Sequence, residues 1–537
     1  MRDIILVALA FRIGIALVTC TFFQPDEYYQ SLEVAHHLVF GYGQLTWEWL
    51  APKPIRSIVY PALNVPIYWL LKVLNLDGTA ALIWGPKVLH GAIAACTDIS
   101  VARLTRRIIG ERYVDAAVFL SLTSFFHGLS LSRSISNSAE TSLTTVALSY
   151  FPWDVNEARW STDLQKALLF AALACAIRPT NAVLWIYMMG WLIWTLRKRP
   201  SDALAVIIIA SAIGAFVLPA VVGLDSLYYG KLTLTPINFL ITNASSVSLF
   251  YGRSPWHYYL SQAMGVLALP ALPWIVQGAF LAALPSSPAP LRTLVGLVVW
   301  TLSAYSLAGH KEWRFIHPLL PLMHVLASKS LTDGRQTGSY SVARSPITHQ
   351  LCFALTIPFI AYVALFHGRA QISVMHHLRL LSPENSASIG FLMPCHSTPW
   401  QAYLHRSDLA DDGVLWALGC EPPLQGQDVT AYKDQTDVFY ESPLQYLKTR
   451  FPDRVDASFP PSPLPRSQPG TDTHGMYPWR HEWPQNLVFF GALLEQPGVH
   501  ELLVGLGYGE VWRAEHGWEG DSRRKGGVRV WRYKPYS

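Results

Sequence analysis

Two adjacent carboxylates, Asp26 and Glu27, lie in the stretch Phe23–Gln30, which follows directly on the apolar run Ile4–Phe22. A helix rises about 1.5 Å per residue, so this run is long enough to cross a hydrocarbon core, and Pro25 keeps the helix from simply continuing. Charged groups at a membrane boundary, next to aromatic residues, are candidates for chemistry on a lipid-borne substrate. The alternative is a polar cap on a transmembrane helix.

Several cations stand in other short polar loops, and one topology places these loops on the membrane face that holds Asp26. They are Arg133, Arg178, His310, Lys311 and Arg314. Taken singly, each has a plainer explanation: Arg178 before Pro179 suits a helix end, and Lys311 suits an interfacial anchor. On one face, a carboxylate pair and several cations are able to hold a base and a phosphate group together.

The composition is that of a membrane protein. Of 537 residues, 51% are hydrophobic and 14% are charged, whereas typical soluble domains carry about 25% charged residues. The net charge of +5 is small, and no basic tract predicts nucleic-acid binding. Because the first apolar run lacks a small-residue cleavage site, we expect an uncleaved span and not a signal peptide.

Residues 1–367 are predicted to form a polytopic α-helical membrane domain of about eleven spans. Positive clusters at Arg103–Arg112 and Arg197–Arg199 favour the cytosolic side. This orientation places the loop 23–56 on the opposite, lumenal side, where we expect the catalytic groups. Whether the proline-containing stretch 57–74 crosses the membrane is left open.

Two further polar residues bear on this topology. Arg12 interrupts the first apolar run and is expected to face protein and not lipid. The sequon Asn243-Ala244-Ser245 falls in a predicted lumenal loop, which makes Asn243 a candidate glycosylation site.

Residues 368–537 differ in character from the rest of the chain. Their apolar runs are shorter, and proline, glycine and charged residues are common. Asn486–Leu494 and Val528–Tyr533 have the pattern of strands. We predict a small lumenal α+β domain, in which Cys395 and Cys420 are the only cysteines and are able to pair in an oxidising lumen.

The sequence predicts neither a structural metal nor a cofactor, and it leaves open whether the carboxylate pair recruits a metal ion. No cysteine and histidine spacing resembles a zinc site. There is also no glycine-rich nucleotide loop, so a nucleotide-sugar donor has no support.

The stretch Phe23–Gln30 resembles the His-Pro-Asp-Glu-x-x-Gln signature of glycosyltransferase family 22, with Gln24 in the place of the histidine. That family consists of endoplasmic-reticulum mannosyltransferases of the GT-C fold. His310–Phe315 resembles the family's His-Lys-Glu-x-Arg-Phe motif, and Arg178-Pro179-Thr180 and Tyr228-Tyr229-Gly230 also fit. The motifs occur in the expected order.

Further segments resemble family members that act on glycosylphosphatidylinositol (GPI) precursors. They are Leu392–Trp400, Asp437–Tyr440, Arg56–Pro61 and Tyr251–His257. The resemblance implies transfer of the third mannose, in α-1,2 linkage, from dolichyl phosphate mannose. Two alternatives stay open: a sister α-mannosyltransferase acting on an N-glycan lipid precursor or adding the fourth GPI mannose, and a lipid or solute transporter.

The implied reaction inverts the sugar configuration, because the donor is a β-glycosyl phosphate and the product is α-linked. Such a transfer needs a base for the acceptor proton; we assign Asp26, with Glu27 as the second candidate or as an orienting group. The donor phosphate is assigned to cations, in the order Lys311, Arg314, Arg178, Arg133 and His310. Substrate binding is assigned to Gln30, Arg56, Tyr229 and His257. Both substrates are lipid-linked and approach from the membrane; the oligomeric state is left open.

Overall fold

The computed structural model describes residues 1–245, 247–250, 252–337, 351–423, 432–467, 479–515, 518 and 520–534. They form two compact units. The helical unit consists of Met1–Val18, Ile55–Leu63 and Pro86–Ala361. The sheet unit consists of Thr19–Pro54, Asn64–Gly85 and Tyr362–Ser537. The sequence predicted a single domain boundary at residue 367. In the structure, two N-terminal segments, Thr19–Pro54 and Asn64–Gly85, belong to the same compact unit as the C-terminal part.

Helices make up most of the described chain. In chain order they are Arg2–Val18, Glu33–Phe40, Trp47–Leu50, Val65–Val73, Ala81–Ile108, Val114–Thr123, Ser136–Tyr150, Trp160–Ile177, Ala182–Thr195, Pro200–Tyr229, Thr235–Ala244, Val247–Phe250, Met264–Ala268, Leu272–Ala283, Ala289–Ser306, Leu320–Thr337, Thr356–Leu365, Arg369–Arg379, Gln401–Leu404, Gln435–Glu441, Pro443–Arg450 and Val499–Gly505. Within the described residues, Pro200–Tyr229 and Leu351–Arg379 are long and apolar enough to cross a membrane. The helical segments Tyr259–Ala268 and Leu272–Ala283 meet at a bend of 113°. If this pair is counted as one broken span, there are three candidate spans among the described residues. The number of about eleven spans stays a prediction.

A buried ion pair ties the first helix into the helical unit. Arg12 donates from Nε to Asp98 Oδ2 at 2.7 Å and from Nη2 to Asp98 Oδ1 at 2.9 Å. Its Nη2 also donates to the Ser121 carbonyl at 2.8 Å. Both charged side chains are fully buried, so the prediction that Arg12 faces protein is confirmed.

The sheet unit contains one mixed sheet. Its strands are β1 (Ile389–Leu392), β2 (Leu415–Ala417), β3 (Asn486–Phe490), β4 (Tyr508–Ala514) and β5 (Val528–Tyr533), in the order β2-β1-β3-β5-β4. β1 is parallel to β2 and β3, and β5 is antiparallel to β3 and β4. The predicted strand at 486–494 ends at Phe490, because the chain turns into a short 3₁₀ helix there.

Period-two alternation gives this sheet two apolar faces. In β3, Val488 and Phe490 belong to one buried cluster and Leu487 and Phe489 to another. The first cluster also contains four residues of the loop that carries the carboxylate pair. They are Phe22, Tyr28, Tyr29 and Leu32. Burial against the sheet therefore anchors this loop within the sheet unit.

Candidate active site

The carboxylate pair lies in a tight turn of the sheet unit. The Pro25 carbonyl accepts hydrogen bonds from the backbone N–H groups of Tyr28 and Tyr29, both at 3.0 Å. A π-helical turn, Tyr28–Leu32, follows and leads into the helix Glu33–Phe40. Such turns are rare and frequently occur at functional sites.

The two acids differ in accessibility. Asp26 is partly exposed, whereas Glu27 is 6% exposed. A base that receives a proton from a bound substrate must be reachable by that substrate. On this ground Asp26 is the better placed of the two acids.

Aromatic contacts hold the segment in position. The Tyr28 ring stacks on Phe22 with centroids 5.2 Å apart and meets Tyr403 edge-on at 5.4 Å. Tyr29 donates from its hydroxyl to the Thr398 carbonyl at 3.1 Å, and its own carbonyl accepts from the Trp49 indole at 3.1 Å. Side chains before and after the carboxylates are thus fixed by packing.

His396 lies beside this segment. Its ring centroid is 4.3 Å from that of Tyr29. Burial, with a further contribution from Arg466, lowers the pKa of His396 to about 4, and the negative charge of Asp26 acts in the opposite direction. The imidazole near Asp26 is therefore neutral at pH 7.

A disulfide flanks the same histidine. Cys395 and Cys420 are joined, with their Sγ atoms 1.99 Å apart. Cys420 Sγ lies 3.6 Å from His396 Nδ1. Among the described residues, these three side chains have the spacing of a metal site, but the paired sulfurs offer no thiolate for a metal to bind.

The helix after the carboxylates is anchored through Glu33. Its carboxylate accepts from the backbone N–H groups of Gln44 at 2.9 Å, Gln401 at 3.1 Å and Ala402 at 2.8 Å. Burial raises the pKa of Glu33 to about 7, although the backbone hydrogen bonds oppose this rise. Gln30, predicted to bind substrate, donates within the loop to Glu48 at 3.1 Å.

A second polar group lies in the helical unit, where the helix Trp160–Ile177 ends. Arg178 Nε is 3.2 Å from Glu140 Oε2, and its Nη1 donates to Ser136 at 3.2 Å. Asn181 donates to the other oxygen of Glu140 at 2.9 Å. The guanidinium also lies over the Phe315 ring, 5.2 Å from its centroid.

The His310–Phe315 motif forms its own charged network. Arg314 donates to both oxygens of Glu312, at 2.6 and 3.0 Å, and His310 Nε2 is 3.2 Å from Glu312 Oε1. Burial opposes ionisation of Glu312, but Arg314 and His310 outweigh it and hold its pKa well below the ordinary value. Lys311 donates to the Ser254 carbonyl at 3.0 Å. Glu312 thus orients both Arg314 and His310.

Arg178 lies within electrostatic range of Arg56 and Arg314. Two residues predicted for the donor phosphate, Arg178 and Arg314, and one predicted for substrate binding, Arg56, therefore act on one another electrostatically. Tyr229 supports Arg56 by donating to its carbonyl at 2.7 Å.

The remaining predicted residues have other local surroundings. Arg133 donates from Nε to the Leu129 carbonyl at 2.9 Å. His257 is exposed, with Nδ1 2.9 Å from the Ser261 hydroxyl. Asn243 is exposed on the helix Thr235–Ala244. Tyr251, the first residue of the segment Tyr251–His257, lies outside the described residues.

Several residues of these networks received no role from the sequence, although most of them lie in polar groups or motifs named there. They are Glu33, Glu140, Asn181, Glu312, His396 and Arg466. Glu140 carried a usable signal, because an acid within an apolar run usually has a buried cationic partner. Glu33 and Arg466 carried no such signal, since their neighbours are distant in sequence.

The sequence pattern of the Alg9-like mannosyltransferase family matches residues 3–405. The chain is 36% identical to the GPI mannosyltransferase 3 of Yarrowia lipolytica, over 98% of this chain and 96% of the relative. It is 35% identical to the GPI alpha-1,2-mannosyltransferase 3 of Homo sapiens, over 84% of this chain and 78% of the relative.

Solved structures support the fold. ArnT from Cupriavidus metallidurans in the apo state aligns with a TM-score of 0.55 at 14% identity, over 98% of this chain and 97% of that chain. The same protein bound to undecaprenyl phosphate aligns with a TM-score of 0.53 at 12% identity. The prediction of a GT-C membrane glycosyltransferase fold is confirmed at this level.

Proposed function

The chain belongs to the Alg9-like mannosyltransferase family, and we propose that it adds a mannose in α-1,2 linkage to a GPI-anchor precursor. The observation that carries this proposal is the 36% identity to a GPI mannosyltransferase 3 over 98% of the chain. A match of this extent favours the GPI precursor over the N-glycan, fourth-mannose and transport alternatives.

The finer assignment rests on the motif resemblance. The donor is dolichyl phosphate mannose, the acceptor is the precursor that carries two mannoses, and the product is the three-mannose precursor. The reaction takes place at the lumenal face of the endoplasmic-reticulum membrane. Both substrates carry lipid chains and reach the enzyme from the bilayer.

In the proposed mechanism, Asp26 takes the proton from the acceptor 2-hydroxyl. The acceptor oxygen forms its bond to C1 of the mannose while the bond between C1 and the phosphate oxygen breaks, and the configuration at C1 inverts. A positioned base of this kind contributes about 10²–10⁴-fold in rate. The partial exposure of Asp26 supports its role as base, and the burial of Glu27 supports an orienting role.

The leaving group is a phosphate monoester that gains negative charge as the bond breaks. Preorganised cations stabilise such charge because they need no reorganisation during the reaction. Arg178 and Arg314 meet this requirement, since Glu140 and Glu312 already hold them. Lys311, His310 and Arg133 are further proposed contacts. Gln30, Arg56, Tyr229 and His257 are proposed to bind other parts of the substrates.

The proposal is tested in microsomes from cells that lack the third GPI mannosyltransferase. Wild type, Asp26→Asn and Glu27→Gln are expressed at matched levels and supplied with labelled dolichyl phosphate mannose. Asp453→Asn and Glu501→Gln serve as matched controls, because both residues are exposed acids of the sheet unit. Lipid products are separated, and the three-mannose GPI precursor is quantified.

We expect wild type and both controls to extend the two-mannose precursor and Asp26→Asn to lose at least about 100-fold in rate. Full activity of Asp26→Asn transfers the base assignment to Glu27. If wild type leaves the two-mannose precursor unchanged, the acceptor assignment is wrong.

A further inference from the structure

A polar cleft opens in the sheet unit beside the N-terminal end of β2. Its enclosed part holds about 40 Å³ and the rest is open to solvent, so a ligand would lie across the polar lining and not inside a closed cavity. Its lining includes Gln44 from the loop of the carboxylate pair, Asp411 and Asp412 from the segment before β2, and Arg466.

The charged groups of this cleft are not neutralised by one another. Among the residues that the structure describes, no hydrogen bond or ion pair engages the side chains of Asp411, Asp412 or Arg466. Asp411 and Asp412 are exposed and Arg466 is half-buried. Carboxylates accept hydrogen bonds from sugar hydroxyls, whereas a guanidinium matches the oxygens of a phosphate. The lining therefore suits a ligand that carries both hydroxyls and a phosphate.

Hydrogen bonds hold one wall of the cleft and join it to the loop of the carboxylate pair. Glu33 binds the backbone N–H groups of both Gln44 and Gln401, two lining residues. The Gln401 side chain is fixed in turn by the backbone of Arg406, at 2.9 and 3.2 Å. Gly43 permits the close approach of the loop backbone to Glu33, because a Cβ at position 43 would lie 2.9 Å from Glu33 Oε1.

Arg466 connects the cleft to the proposed base. It lies within electrostatic range of Tyr29 and of His396. Asp26 also acts on His396, and Tyr29 follows Asp26 by three positions. Gln44, which belongs to the loop of the carboxylate pair, and Arg466 line the same cleft, and this shared lining links the cleft to that loop.

We propose that this cleft is the subsite for the acceptor's head group. Arg466 binds a phosphate oxygen of that head group, and Asp411, Asp412 and Gln44 bind sugar hydroxyls. This inference rests on the proposed function, and it gives the C-terminal part of the chain a role in choosing the acceptor.

The test compares two Michaelis constants of the full-length enzyme. Initial rates are measured with the two-mannose GPI precursor varied at saturating dolichyl phosphate mannose, and then with the donor varied at saturating acceptor. The variants are Arg466→Gln and the double variant Asp411→Asn with Asp412→Asn. Arg454→Gln and Asp453→Asn are matched controls, because they change exposed residues of the same types outside the cleft lining.

We expect each cleft variant to raise the acceptor KM about 10-fold or more, as loss of a charged hydrogen bond does. The donor KM and kcat should stay at the wild-type value, which also shows that the variants are folded. An unchanged acceptor KM, or a rise confined to the donor KM, overturns the proposal.

A binding measurement separates this inference from the proposed function. Hydrogen exchange of residues 409–417 is followed with and without the water-soluble phosphoinositol glycan left after removal of the acyl chains from the two-mannose precursor. We expect this glycan to slow exchange in wild type and not in Arg466→Gln. Equal exchange with and without the glycan overturns the cleft assignment, even where wild type shows mannosyl transfer. Absence of transfer by wild type refutes the proposed function instead.

Discussion

Glu33 offers a direct test of how the loop of the carboxylate pair is fixed. Its fully buried carboxylate accepts three backbone hydrogen bonds, from Gln44, Gln401 and Ala402. Glu33→Gln keeps the size of the side chain but replaces one acceptor oxygen with an N–H donor. One or two buried N–H groups then lack a partner, at about 1–3 kcal/mol each.

The assay is hydrogen exchange, read by mass spectrometry on peptides covering residues 41–46 and 399–404. A loss of about 1–3 kcal/mol at each affected amide corresponds to exchange about 5- to 150-fold faster there. Glu501→Gln, an exposed acid of the same unit, is the matched control. Unchanged exchange in Glu33→Gln would refute the claim that this carboxylate fixes the two segments.

The pH dependence gives a second readout of the same substitution. Burial raises the pKa of Glu33 from 4.5 to about 7. A raised pKa means that the folded state favours the protonated form. The contribution of protonated Glu33 to the free energy of unfolding is therefore fully present below pH 4.5, and it is lost as the pH rises through about 7.

At about 1.4 kcal/mol per pKa unit, this loss is about 3 kcal/mol. Glu33→Gln does not titrate, and all other groups are common to both proteins. The stability of wild type relative to Glu33→Gln, measured by resistance to proteolysis, should therefore fall between pH 4.5 and pH 8. A difference that is independent of pH would contradict the assigned pKa.

Three further predictions concern stability. Arg12→Met leaves the charge of Asp98 buried without its partner, and we expect it to lose about 3–5 kcal/mol; the midpoint of thermal unfolding in detergent should recover when Asp98→Leu is added, and a double variant as unstable as the single one would count against the pair. Cys395→Ser opens a link across 25 residues and should cost about 3 kcal/mol; equal midpoints with and without reductant would contradict this. Burial lowers the pKa of His36 to about 3, so the contribution of neutral His36 to folding stability is present above pH 6.5 and lost as the pH falls towards 3. Wild type should therefore lose stability in this range relative to His36→Gln. Parallel stability profiles of wild type and His36→Gln would be inconsistent with the burial.

The sequence was sufficient to predict secondary structure that depends on a few neighbouring residues. The run Ile4–Phe22 followed by Asp26 and Glu27 indicated a helix end with acids, and a helix followed by a turn is found there. The strand pattern of Val528–Tyr533 is observed with the same bounds. Such features depend on periodicity and on proline, which act over a few residues.

Partners distant in the chain were not predictable in this way. Arg12 was expected to face protein, but its partner Asp98 is 86 positions away. Arg178 was chosen as a cation, while its neighbours Glu140 and Phe315 depend on how separate helices pack. Burial makes such pairing necessary, but helix packing decides which charge meets which.

The sequence by itself determined a membrane glycosyltransferase with acids after the first apolar run and cations in later loops. Only the tertiary structure decided that the acids lie in the same compact unit as the C-terminal sheet. It also decided that Glu33, Gln44 and Gln401 form one wall beside Arg466. The physical reason is that buried polar groups must find partners, and the fold brings those partners from segments more than 300 residues apart.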